Sequence, residues 1–176
     1  TLNPFNGFMG TVLLPFLSLV ETHNSIVIFS FVFGGVTTFW LAYYLTGSYW
    51  GSILAGFIFT FSNYHFAHAE GHLQLVSLEW IPLFVLCWYV LLTRPSMPMA
   101  CGAAAALVAV MLCDYYYFFY CVVTGGLMLV WDGVRERDFF FFLKGKHLLP
   151  CRLFAGLMLL TAGPLVFSLL LLNARD

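Results

Sequence analysis

The chain of 176 residues is 62% hydrophobic and 9% charged, against about 45–50% apolar and 25% charged residues in soluble globular proteins, which excludes an ordinary water-soluble domain. Its net charge of −1 argues against nucleic acid as a partner, because nucleic-acid binders present a concentrated basic face. The five cysteines, Cys87, Cys101, Cys113, Cys121 and Cys151, lie in apolar runs without paired metal-ligand spacing and read as small packing residues.

Residues 5–20 are apolar but short for a span, since about 30 Å of hydrocarbon needs roughly 20 helical residues. Pro4, Asn6, Gly7 and Pro15 leave an interfacial helix and a tilted span both open. Residues 24–45 carry no charge and predict a transmembrane helix, closed by Trp40, Tyr43 and Tyr44 at headgroup level. After a turn at Thr46-Gly47-Ser48, residues 49–61 return. Gly47, Gly51 and Ala55 are spaced by four, the small-residue pattern that lets helices approach closely.

Residues 75–92 cross again and stop at Arg94, Pro95 and Pro98. The alanine-rich residues 99–113 predict a helix buried among others. Asp114 and the aromatic run 115–120 mark its far end, Tyr115, Tyr116 and Tyr117 reading as an aromatic belt, and the chain crosses back up to Trp131. The polar stretch 132–147 follows, then a last span over 148–172, expected to bend at Pro164. The expectation is an all-α, polytopic transmembrane bundle of about six spans plus a short N-terminal interfacial or tilted helix, forming one module over residues 1–176.

Arg94, Arg135, Arg137, Lys144, Lys146 and Arg152 fall on one side of this topology, which the positive-inside rule makes cytoplasmic. Alternating spans place Glu21, His65, His68, Glu70, His72, Glu79 and Asp114 on the opposite face. The basic loop reads as a topology determinant touching anionic lipid.

Residues 62–82, SNYHFAHAEGHLQLVSLEWIP, gather three of the five histidines and two of the eight acids. As one continuous helix, this stretch would bring His65, His68, His72 and Glu79 within roughly 60° of one another. Gly71 weakens an unbroken helix, and a broken, re-entrant segment is the natural variant. Such groups bind phosphate or metal or move protons. His65, His68, His72 and Glu79 are therefore the phosphate- or metal-binding candidates, with Glu70, Asp114 and Tyr64 secondary. The HxxH and HxxxH spacings single out His68 and His72 for a divalent metal. For each polar residue a structural role competes: hydrogen bonding in a connection for the histidines, a helix-terminal carboxylate for Glu79, and a polar stop between spans for Asp114.

With these apolar segments and the outward loop FSNYHFAHAEGHLQLVSLEWIPL, the chain resembles the GT-C superfamily of multi-spanning glycosyltransferases and their bacterial relatives. The resemblance is carried by residues 45–62, His68 to His72 and Trp80 to Leu83. It implies a bacterial inner-membrane module transferring sugar from a polyprenyl-phosphate carrier on the non-cytoplasmic face. There the histidines and Glu79 would stabilise the departing lipid phosphate, directly or through a metal. The family's general-base acid follows its first helix, and Glu21 is the only acid before His65. The expectation is a chain that is a piece of a longer protein or lacks catalysis, its catalytic residue unassigned. The competing expectation is a non-catalytic subunit packed against other membrane subunits, an energy-converting or pigment-binding complex among them.

Overall fold

The computed structural model describes residues 3–69 and 71–173, with side chains as far as residue 164. Every regular element among them is helical: α1 (Pro4–Leu13), α2 (Leu19–Thr46), α3 (Tyr49–Thr60), α4 (Asn63–Ala69), α5 (Leu73–Val76), α6 (Trp80–Thr93), α7 (Met97–Cys113), α8 (Tyr115–Glu136) and α9 (Leu148–Asn173). Among the described residues three stretches are long and apolar enough to cross a membrane: Leu19–Thr46, the consecutive α5 and α6 over Leu73–Thr93, and Tyr115–Glu136. The 10 residues of α1 reach only about 15 Å at 1.5 Å per residue, and the 12 of α3 about 18 Å. Both fall short of the hydrocarbon thickness.

Local chemistry explains the boundaries. α2 opens with a capping box, in which the Ser18 hydroxyl accepts the Glu21 N–H and the Glu21 carboxylate accepts the Ser18 N–H. Glu21 is thereby a helix cap at the surface. The helix closes on Gly47 in the left-handed conformation (φ 67°), and Ser48 then caps α3, so α2 and α3 fold back as a hairpin. Asp114 caps α8, its Oδ1 accepting the N–H of Tyr116 at 2.7 Å and of Tyr117 at 3.3 Å.

α7 is the central helix, packed against α1, α6, α8 and α9. Ala100, Ala103, Ala104, Ala106, Leu107, Val110 and Met111 are all buried, the short alanine side chains admitting neighbours from several directions. The core continues through Leu78 and Phe84 to Tyr117 and Cys121 of α8. Trp88 donates its indole N–H to the Gly125 carbonyl at 3.0 Å, tying α6 to α8.

The face joining α2 to α3 differs by one residue from the spacing argument. Gly51 is exposed and Ala55 half-buried, whereas Ser52, Gly56 and Thr60 are buried against α2. The Gly56 backbone lies so near α2 that a Cβ there would meet the Gly35 carbonyl oxygen at 2.7 Å. A second four-residue series, hidden one position later, makes the contact.

The two ends of the bundle differ in chemistry. At one end, Tyr44, Tyr89, Thr93 and Arg94 line one cavity. Beside it, Leu92, Thr93, Asp132, Arg135, Lys146 and His147 line another of about 150 Å³. His147 reaches the Leu92 carbonyl at 3.0 Å, and Arg135 pairs with the buried Asp132 at 3.2 Å. In the same loop Lys144 hydrogen-bonds Asp138 at 2.7 Å and holds its carboxyl below the usual range. The opposite end carries the start of α8, α4 and the break before α6, so the histidine segment and the basic loop stand apart.

Candidate functional site

Residues 62–82 are not one helix. α4 ends at Ala69, α5 is a single turn, and α6 begins at Trp80. Proline accounts for the second break: in a continuous helix Pro82 would offer Leu78 no N–H, and its ring would press on that carbonyl. In the first turn of α6 it is harmless, since the N–H there has no helical partner anyway. The break leaves the Val76 carbonyl without its helical donor, just as the end of α3 frees the carbonyl of Thr60.

His65 reaches both carbonyls, the second of which also accepts the Leu78 N–H at 2.7 Å. Its Nδ1 lies 3.0 Å from the Thr60 carbonyl oxygen and its Nε2 3.0 Å from that of Val76. The ring is fully buried and stacks on Phe31 of α2 at a centroid distance of 3.8 Å. The backbone is held too, with the Ser62 hydroxyl accepting the His65 N–H at 3.3 Å. Burial pushes the His65 pKa below the usual histidine range, against the two carbonyls, which favour the cation.

Glu79 is 1% exposed. It stands at the cap position of α6 but makes no side-chain cap; its Oε2 instead lies 2.6 Å from the Ser30 hydroxyl of α2. Ser30 also lies 2.6 Å from the Val76 carbonyl oxygen and 3.5 Å from His65 Nε2. Thr37, two turns along α2, donates to the Glu79 carbonyl at 2.9 Å. The helix-terminal role open to Glu79 is thus replaced by a tertiary one, and His65 and Glu79 meet across Ser30 rather than along a helix face.

His68 and His72 take a different direction. His68 is half-buried and His72 exposed, their ring centroids 5.7 Å apart. Tyr64 packs edge-on against His68 at 4.4 Å, and its hydroxyl lies 2.6 Å from that of Tyr117, which donates to the Leu75 carbonyl at 3.0 Å. Tyr117 is therefore an internal brace, whereas Tyr115 and Tyr116 are exposed. His68 Nδ1 is enclosed without a hydrogen-bond partner. Asp114 holds the start of α8, and Glu70 lies outside the described residues. Among the described residues no three His, Cys, Asp or Glu side chains converge as metal ligands.

Removing the Tyr117 hydroxyl tests the brace. Tyr117→Phe is expected to cost about 1–2 kcal/mol by leaving the Leu75 carbonyl and the Tyr64 hydroxyl without their partner. Unfolding in mixed micelles measures it; wild-type stability would show that the brace carries nothing.

Ser30 and Thr37 were not among the residues the sequence singled out. The available signal was the series Thr22, Ile26, Ser30, Gly34 and Thr37, all buried on one face of α2. On a helix apolar all round, small and hydroxyl side chains mark the face that meets protein.

The described residues form an all-helical fold with three stretches long and apolar enough to cross a membrane, a basic end and a polar buried cluster near the other. Compared with known proteins, the chain matches no family profile, and no curated protein or solved structure is significantly similar to it.

Proposed function

We propose that the chain is a bacterial inner-membrane module of about six spans, with its basic end cytoplasmic and its histidine end engaging the phosphate of a polyprenyl-phosphate-linked sugar, as the GT-C resemblance implies. The observation that carries this reading is the pair His68, half-buried, and His72, exposed, with adjacent rings, on a segment whose base is fixed by His65. Imidazole N–H groups suit a lipid phosphate at the membrane surface, where charge-assisted hydrogen bonds are stronger than neutral ones. His65 and Glu79 drop out as direct ligands because both are enclosed by the protein. The chemistry of this site is phosphate binding.

Binding of a photoreactive polyprenyl-phosphate probe to the purified protein in lipid nanodiscs tests the reading. Each charge-assisted hydrogen bond contributes about 1.5–3 kcal/mol, so His68→Ala with His72→Ala is expected to weaken labelling at least tenfold. Labelling that is unchanged in the double variant would overturn it.

A second reading, a non-catalytic subunit of a larger membrane assembly, draws support from the placement of Glu79. Glu79 is turned inward onto Ser30, as a structural residue would be. In that case the histidine end is covered by a partner subunit, and mass spectrometry of the natively extracted complex would find one.

A further inference from the structure

Ser30, His65 and Glu79 make four short polar contacts between them and the backbone. Nδ1 of His65 meets the Thr60 carbonyl at 3.0 Å, and Nε2 meets the Val76 carbonyl at 3.0 Å. The Ser30 hydroxyl meets the Val76 carbonyl and Glu79 Oε2, each at 2.6 Å. At these separations each contact is attractive only with a hydrogen between the two atoms; otherwise lone pair faces lone pair.

The ordinary states at neutral pH supply too few protons. A neutral imidazole carries one N–H, serine one O–H and a carboxylate none, so two protons would serve four contacts. That state also leaves a net negative charge fully buried, which is costly without a compensating partner. A third proton removes the buried charge and leaves one contact, in place of two, without a hydrogen, and it has two places to go. On His65 it gives an imidazolium facing two carbonyls, with Ser30 donating to the Glu79 carboxylate. On Glu79 it gives an acid that donates to Ser30, whose own O–H turns to Val76. Both arrangements are neutral overall, and they differ only in a proton passed across one hydroxyl.

We propose that Ser30, His65 and Glu79 form an internal proton-binding site, holding one proton that the same groups would release in water and sharing it between imidazole and carboxyl. The burial that disfavours an isolated imidazolium weights the arrangement toward the acid form of Glu79, and the stacked Phe31 ring favours the cation in the other. Of the neighbours, α2 presents Phe31, α3 presents Phe59 and Thr60, and α6 presents Trp80, none of which adds or removes a proton, and Cys113 of α7 lies near Glu79.

The site links three breaks in the chain. Thr60 ends α3, Val76 ends α5, and Glu79 precedes α6. The proton therefore helps fix the segment carrying His68 and His72. The inference does not depend on what those two residues bind.

The test is a proton count on the wild-type protein in nanodiscs at pH 8, where a free imidazole keeps its proton in about 3% of molecules and a free glutamate in far fewer. Nitrogen-15 spectra of labelled histidine read the two His65 ring nitrogens, with His65→Gln assigning the signal. Infrared difference spectra read the carboxyl, with Glu79→Gln assigning the band. The expected result is a third proton at pH 8, either as a Glu79 acid band or as a doubly protonated His65, an enrichment of at least tenfold over the free groups. A His65 with one protonated nitrogen beside an ionised Glu79 would overturn the proposal. The decisive reading is taken on the wild type, so a variant that fails to fold removes only an assignment.

Discussion

His65→Ala is expected to destabilise the protein by about 3–5 kcal/mol, the range for removing a large buried ring. The reason is more specific than lost volume. Among the described residues the imidazole is the side chain that reaches the Thr60 carbonyl, and it shares the Val76 carbonyl with the Ser30 hydroxyl and the Leu78 N–H. Alanine leaves the first without a partner in the interior, which by itself costs about 1–3 kcal/mol, and removes the ring stacked on Phe31. The loss should also reach the surface, because α4 carries both His65 and His68. Denaturant titration in mixed micelles gives the stability, and probe labelling reports the outward pair. A change within about 0.5 kcal/mol, the level of an ordinary surface substitution, would show that the two helix ends do not need His65. His65→Gln, which retains one donor, should fall between wild type and alanine.

Much of this was legible beforehand, and the part that was not has identifiable causes. Apolar runs and their punctuation by Gly47, Arg94 and Asp114 place the helices, because chain ends of helices obey local rules. The alanine-rich α7 declared its burial by composition. The histidine segment was recognisable as unusual, but a helical wheel could not say which residues meet. Pro82 was the decisive signal: it forbids continuous helix through Leu78, and once the helix breaks, periodicity no longer governs the placement of His65, His68, His72 and Glu79. Ser30 lay beyond reach for another reason. It is 35 residues from His65 and 49 from Glu79, and in an apolar helix a single hydroxyl carries no sign of its partner. The α2–α3 contact was displaced by one residue because two small-residue series run along α3, and spacing alone ranks them equally.

That ambiguity makes Gly56 the sharpest test of the packing. A Cβ at Gly56 would lie 2.7 Å from the Gly35 carbonyl oxygen and 3.6 Å from Phe39 Cβ, and one at Gly35 would collide with the Thr60 hydroxyl. The obstacle at Gly56 is backbone, which no rotamer change relieves, so α2 and α3 must separate. Gly56→Val is expected to cost about 3 kcal/mol, the upper end for overpacking. The harm should extend beyond the hairpin, since Thr60 donates to the Phe31 carbonyl at 3.2 Å and offers its own carbonyl to His65. Separation of the helices pulls on both, so the His65 nitrogen-15 signal should shift together with the loss of stability. Gly126→Ala supplies the control: a Cβ there meets nothing within 4 Å, and alanine is the better helix former by about 1 kcal/mol. Equal stability for Gly56→Val and Gly126→Ala would mean that the helices do not approach at Gly56, and the series through Gly51 and Ala55 would then be the contact.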